Sequence, residues 1–341
     1  MKARTVAVCY DDAPEAAAAA AWAAAAFAAP GDELHLIGIA AAAALLPPVP
    51  PISPVGLGGA STVQALHEAW REESERVAQA LEREATALGA RATPPVRHTL
   101  SAAGGASGVG AAAVEWADAR SADAIVLGRR GLGAVRATAY AAVGLGSVSS
   151  WVLHNAKTPV VVVPRAAPAP SSGGTTWVVA VDDSPHAARA LGWALARAAG
   201  PADRVHCVAA ATPAPYILAD DDAVVAHPLH AAEAERRAAD ARAYARTVAE
   251  GAARRAADAL GASRVAWHVL TPRGDGPGDV GGALAEYAGQ QLHGALVLGS
   301  RGQGAAKRAL LSLVGLGSVS DWCAKNAGVP VAVVRPGAAE Q

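Results

Sequence analysis

The stretch Gly128-Arg129-Arg130-Gly131-Leu132-Gly133 runs on to Gly144-Leu145-Gly146-Ser147-Val148-Ser149. It returns 171 residues later as Gly299-Ser300-Arg301-Gly302-Gln303-Gly304, running on to Gly315-Leu316-Gly317-Ser318-Val319-Ser320. Each copy leads to a proline and then Val-rich sequence, at Pro159 and Pro330. Between Gly144 and Val163, 13 of 20 positions match their partners one repeat on. The same offset joins Asp11 to Asp182, Asp12 to Asp183, Pro14 to Pro185, Trp22 to Trp193, His35 to His206 and Trp151 to Trp322. Tryptophan is the persuasive case, because the chain has only eight. A period this long marks two copies of one domain and not a solenoid of short repeats. Register drifts over residues 41–100 and 211–270, where the loops are expected to differ.

A chain of 341 residues has room for two domains of ordinary size, each able to bury its own core. The expected division is 1–165 and 175–337, with the Pro/Ser/Gly-rich stretch 166–174 as an exposed linker. Phenylalanine occurs once, so Val, Leu, Trp and Ala must fill the interior. The Ala-rich run 16–29 favours helix, since alanine loses no side-chain entropy there.

Composition excludes several classes of function. A formal net charge of −1 gives no reason to expect a nucleic-acid partner. The charge run Arg71–Arg76 reads as a solvated helix face, with Glu72 and Arg76 in the favourable i,i+4 order. No apolar run reaches the roughly 18 residues of a membrane helix. The N-terminus enters a strand pattern at Thr5–Tyr10 and shows no secretory leader pattern. Cys9, Cys207 and Cys323 have neither CxxC nor metal-ligand spacing and read as reduced, mostly buried thiols. The expected compartment is therefore the cytoplasm.

The second copy reads clearly as alternating elements. Strands are expected at 177–181, 205–209, 264–270, 295–298 and 331–334. Helices are expected at 186–199, 231–260, 280–291 and from about Ser318. Pro185 suits a first helical turn behind a capping Ser184. The first copy gives strands near 5–10, 34–39, 95–100, 124–127 and 160–163. Strict alternation implies an α/β fold, two open parallel sheets covered on both faces. Ligands of such sheets sit beyond the carboxyl ends of the strands. Asp11, Asp182 and both Gly-rich segments fall at those ends.

Those residue types suit a nucleotide. Glycine lets backbone N–H groups approach an anion closely. A helix N-terminus adds unpaired N–H groups and partial positive charge, and Gly146-Ser147 and Gly317-Ser318 are placed to open helices. Arg130 and Arg301 can offset phosphate charge. Asp11 and Asp182 can accept hydrogen bonds from ribose or base. The candidate set also takes in Asp12, Asp183, Ser184, Gly133, Gly304, Val148, Ser149, Val319 and Ser320, with Ile39 and Ala210 closing the second strands. Taken singly, each residue has a structural reading as a cap, a turn former or packing. Walker-type GxxxxGK[ST], HExxH and GxSxG motifs are absent. His35 and His206 read as satisfied core residues, the tryptophans as packing, and no catalytic residue or metal ligand is expected.

Asp182-Asp183-Ser184-Pro185, Leu298-Gly299-Ser300-Arg301-Gly302, Gly317-Ser318-Val319-Ser320 and Pro330-Val331 resemble the universal stress protein family in its tandem two-domain form. The resemblance covers nearly the whole chain. It implies a Rossmann-like fold of the adenine nucleotide alpha-hydrolase kind, with strand order 3-2-1-4-5. It also implies domains paired through their last strands as an intrachain pseudo-dimer, with a further homodimer left open. ATP-binding members carry G-x2-G-x9-G-[S/T]. Gly299, Gly302, Gly317 and Ser318 would then hold ribose and phosphates, with Asp182 near the base. Gly128, Gly131, Gly146, Ser147 and Asp11 are the matching positions in the first copy. Fourteen residues, not nine, separate Gly131 from Gly146 and Gly302 from Gly317. Ala13 also replaces the serine after the first acidic pair, so the second copy is the favoured site. The implied function is a stress-response regulatory protein binding ATP or another adenine nucleotide, with or without Mg2+. Alternatives are a nucleotide-free scaffold for an unknown protein partner and a slow ATP hydrolase.

Overall fold

The computed structural model describes residues 4–29, 31–41, 60–89, 94–102, 105–129, 147–167, 169–170, 174–198, 200–212, 228–301 and 317–335. The chain forms two compact units dividing between Ala169 and Pro170.

The first unit alternates β1 (Thr5–Cys9), α1 (Pro14–Ala26), β2 (Glu33–Ala41), α2 (Ala60–Leu88), β3 (Val96–Ala102), α3 (Gly105–Ala119), β4 (Ala124–Arg129), α4 (Ser147–Asn155) and β5 (Val160–Pro164). Its strands lie in the order β3-β2-β1-β4-β5, and every described pairing is parallel. The second unit repeats the pattern. It has β6 (Thr176–Ala180), α5 (Pro185–Arg197), β7 (Arg204–Ala210), α6 (Pro228–Leu260), β8 (Val265–Leu270), α7 (Pro277–Gly289), β9 (Gly294–Gly299), α8 (Ser318–Asn326) and β10 (Val331–Val334). Its order is β8-β7-β6-β9-β10, again parallel throughout. Numbered within its own unit, each sheet runs 3-2-1-4-5, as the resemblance implies.

Burial follows from that order. Central strands are covered on both faces and buried along most of their length, as in Ala124–Leu127 and Thr176–Val179. The outer strands β3 and β8 are more exposed. Alanine lets the helices lie close to the sheet. In α6 the buried residues Ala245, Ala249, Ala252, Ala253 and Ala256 form one helical stripe. Volume comes from tryptophan instead. Trp22 meets Phe27 edge-on at 6.1 Å, and Trp177 meets Trp193 edge-on at 5.7 Å. All three cysteines are free thiols; Cys207 and Cys323 are buried, and burial pushes each up to about 12.

Repeat-related positions also do equivalent structural work. Asp32 accepts from the backbone N–H of Arg4 at 3.3 Å and of Ala29 at 3.1 Å, and holds the buried Arg4 guanidinium. Asp203, one repeat on, accepts from Thr175 N at 2.9 Å and Gly200 N at 2.8 Å. His35 Nδ1 lies 3.0 Å from His98 Nε2, and His206 Nδ1 lies 3.0 Å from the Tyr287 hydroxyl. Both histidines are therefore partnered within the fold.

Candidate functional site

Each unit gathers its chain crossovers beyond the carboxyl ends of its strands. In the first unit an open cleft lies there. Asp11 after β1, Glu15 in the first turn of α1, Ile39 of β2, Gly128 of β4, and Val148 and Ser149 of α4 line it. Cys9, Tyr10, Ile37, Val109 and Leu127 complete its apolar floor and wall. Sequence reasoning therefore places Asp11, Ile39, Gly128, Val148 and Ser149 on one hollow. It overlooks Glu15, whose position four residues after Asp11 is the available signal. Asp12 does not line the cleft. It adopts φ 60°, a left-handed conformation that Asp tolerates, and its carboxylate meets Arg83 of α2 at 3.1 Å.

The site is shaped by one close approach. An ideal Cβ on Gly128 would fall 2.5 Å from the carbonyl carbon of Glu15, so only glycine lets α1 start this near β4. Ser149 Oγ donates to Gly128 O at 3.2 Å, tying α4 to the same strand end. On the floor, burial and the neighbouring Asp11 carboxylate push the Cys9 thiol up to about 12, so it stays protonated at neutral pH. Tyr10 reaches out to Glu84 of α2, at 3.0 Å. Burial raises both groups, and their mutual contact raises the tyrosine further.

The second unit repeats the construction with different chemistry. A Cβ on Gly299 would fall 2.7 Å from the carbonyl carbon of His186, the repeat partner of Glu15. Asp182 accepts from Ser184 N at 3.0 Å, and Ser184 Oγ caps α5 by accepting from Ala187 N at 3.1 Å. Asp183 is exposed, and Ala210 closes β7. Ser300 Oγ lies 3.2 Å from His186 Nδ1. Burial first, then Arg189 and Arg301, lower the His186 pKa, with Asp182 opposing them. This imidazole is therefore neutral at pH 7.

Gly317 stands as N-cap of α8, and its N–H donates to Ser300 O at 2.6 Å. The first helical bond runs from Asp321 N to Gly317 O, leaving the N–H groups of Ser318, Val319 and Ser320 ahead of the ladder. Ser320 Oγ donates to Gly299 O at 2.8 Å, as Ser149 does in the first unit. The hydroxyls of Ser149 and Ser320 thus brace strand to helix, while Ser318 is exposed at the helix mouth. Ser147 is the first residue of α4. Arg130, Gly131, Gly133, Gly146, Gly302 and Gly304 lie outside the described residues.

An acidic residue after the first strand, a glycine at the end of the fourth and a helix after it recur in both units and define a duplicated α/β protein. The universal stress protein family profile matches residues 2–164 and 175–335, and the chain belongs to that family. Among solved structures it is similar to a universal stress protein from Archaeoglobus fulgidus. Identity is 17%, with 99% of this chain and 100% of that one covered at a TM-score of 0.56. It also matches UspA from Lactobacillus plantarum (18% identity, 47% and 97% covered, TM-score 0.37). A third match is a universal stress protein in complex with cAMP (23% identity, 47% and 96% covered, TM-score 0.29). No curated protein matches the chain significantly. No described helix is long and apolar enough to cross a membrane.

Proposed function

We propose that this chain is a regulatory module of the stress response that binds an adenine nucleotide in its strand-end crevices, with ATP in the second unit. The observation that carries the reading is the second-unit cluster. Asp182, the Gly299 close approach, Arg301 and the first turn of α8 converge on one strand-end region. Asp182 supplies an acceptor for ribose or base. The N–H groups of Ser318–Ser320 and the partial charge of the helix end favour phosphate. Arg301 adds cationic charge, and His186 adds a neutral polar ring.

The reading needs no chemical step. The nucleotide acts as a signal whose occupancy is sensed, with Mg2+ as a companion of the phosphates where present. Free thiols at Cys9, Cys207 and Cys323 support action in a reducing compartment, the cytoplasm.

Calorimetry of the purified chain with ATP, ADP and AMP tests this. Binding is expected, and Gly317→Asp is expected to abolish it in the second unit by placing a carboxylate at the phosphate end. Absence of heat with all three ligands, together with a purified chain from which no nucleotide can be extracted, overturns the reading.

A further inference from the structure

The first cleft continues into a histidine pair, His35 buried and His98 half-buried. His35, Ile37 and Ile39 alternate onto one face of β2, and Ile37 and Ile39 line the cleft. α3 covers that face. Its Trp116 lies 5.1 Å from the His35 ring, and Val109, two turns earlier on the same side of the helix, lines the cleft. His98 of β3 stands in register with Ile37 and lies 4.8 Å from the Trp116 ring. One layer therefore holds the cleft at one end and the pair at the other.

The protons of the pair follow from its contacts. His35 Nδ1 lies 3.0 Å from His98 Nε2, and His35 Nε2 lies 3.3 Å from a carboxylate oxygen of Glu33. A carboxylate accepts, so Nε2 of His35 carries the proton. Nδ1 of the neutral ring is then the acceptor, and His98 donates from Nε2–H. One added proton is tolerated, since an imidazolium on either ring still donates to a neutral partner. Two are not, because N–H would face N–H between two positive rings. Glu33 from β2 is the facing anion, and Arg120, just past α3, stands over the Trp116 ring at 4.4 Å. Glu115 and Asp118 of α3 are exposed, Arg97 of β3 pairs with Glu82 of α2, and β1 presents Ala7 opposite His35. Burial first, then His35 and Arg120, lower the His98 pKa, so full protonation of the pair requires acid.

We infer that the His35–His98 bond is an acid-released latch that holds α3 on β2 and β3 and so keeps the first cleft in its binding form. This gives the nucleotide-binding reading a regulation and rests on that reading for its ligand. On release the two rings separate beneath Trp116, α3 lifts, and Val109 withdraws from Ile37 and Ile39. By linkage, a bound ligand holds the pair short of its second proton, so affinity in the first unit falls as pH falls. The second unit is built differently. Tyr287, the repeat partner of Trp116, places its hydroxyl 3.0 Å from His206 Nδ1. A hydroxyl both donates and accepts, so that contact survives protonation.

The test compares the full-length parent with His98→Gln at pH 7.5 and 5.0. Glutamine keeps an N–H for His35 Nδ1 and takes up no proton. Amide exchange in α3 of the parent, corrected for intrinsic rates, is expected to speed about tenfold in acid. Exchange in α7, and in α3 of His98→Gln, is expected to move less than about threefold. ATP calorimetry at both pH values gives a second readout, in which phosphate protonation is common to both chains. The parent is expected to lose about tenfold more affinity at one site than His98→Gln does. Imidazole nitrogen NMR at pH 7.5 is expected to show His35 and His98 both protonated at Nε2. Exchange in α3 that follows pH equally in both chains overturns the latch, as do other tautomers. Equal acid losses of ATP affinity overturn its link to the cleft while leaving nucleotide binding intact. A chain that takes no ATP at either pH removes the nucleotide reading, and exchange in α3 then decides the latch alone.

Discussion

Gly128→Ala is expected to destabilise the first unit and to disturb its cleft at once. The added methyl would sit 2.5 Å from both the carbon and the oxygen of the Glu15 carbonyl, and 2.9 Å from Ala16 N. These are backbone atoms, so no rotamer change relieves the overlap; α1 must move off β4. Overpacking of this kind costs about 1–3 kcal/mol. Gly192→Ala provides the opposite sign from the same chemical change. Gly192 lies in α5 with nothing within 4 Å of a built Cβ, so the methyl meets open space and removes backbone entropy from the unfolded chain. It is expected to stabilise by about 0.5–1 kcal/mol. Urea unfolding of both variants beside the parent measures the pair, with midpoints compared at constant slope. Because Gly128 and Glu15 both line the cleft, Gly128→Ala is also expected to weaken nucleotide binding in the first unit. A Gly128→Ala chain as stable as the parent would refute the claim that this glycine is required by helix approach.

The caps give a second paired test. Ala13 and Ser184 share one backbone conformation, φ −82° and ψ 151° against φ −88° and ψ 149°, yet only Ser184 supplies a side-chain cap. Ser184→Ala is expected to cost about 1 kcal/mol, and Ala13→Ser to return a similar amount, by thermal or urea unfolding. A third test uses pH. Burial lowers the pKa of His98, of His206 and of His268, with neighbouring histidine charge adding to the first two. The unfolded chain then binds protons that the folded chain refuses, so stability is full above about pH 6.5 and falls as pH drops below it. Unfolding midpoints at pH 7.5 and 5.5 are expected to show the fall, and His206→Gln to reduce it. A midpoint that rises on acidification would contradict this sign.

The fold is legible because its signals are repeated and local. Val-rich strands alternate with Ala-rich helices, proline marks the helix starts at 14 and 185, and tryptophan recurs at one offset. Strand ends match the expected positions closely, as at Val331–Val334. Strand order is different in kind. It comes from the family resemblance, since nothing local in β3 says which strand it pairs with. Gly128 and Gly299 are legible as glycines but not as to their work, which is to admit a helix backbone. Ser149 and Ser320 show the same limit. Their hydroxyls suit phosphate by type, yet each donates to a strand carbonyl, a long-range contact 21 residues back along the chain.

Matching one copy against the other finds what the copies share and passes over what they do not. Glu15 and His186 are invisible to a search for identity, because they differ. The structure makes them comparable by fixing both to one backbone site. A duplicated crevice has two ways to diverge: lose its cradle or keep it and change the charge inside. Here the close approach of helix to strand is kept in both units, as is the serine bridge from helix to strand carbonyl. These features position the crevice. Glu15 and His186 differ between the units, as do Ser300 and its repeat partner Arg129, although the Ser300 N–H bonds to Val334 O at the strand end. The copies therefore keep the contacts that set the strand-end geometry while differing at neighbouring side chains. Exchanging residues 15 and 186, as Glu15→His with His186→Glu in one chain, is therefore expected to shift the unfolding midpoint far less than Gly128→Ala does. A shift as large as that of Gly128→Ala would show instead that these two side chains carry the architecture.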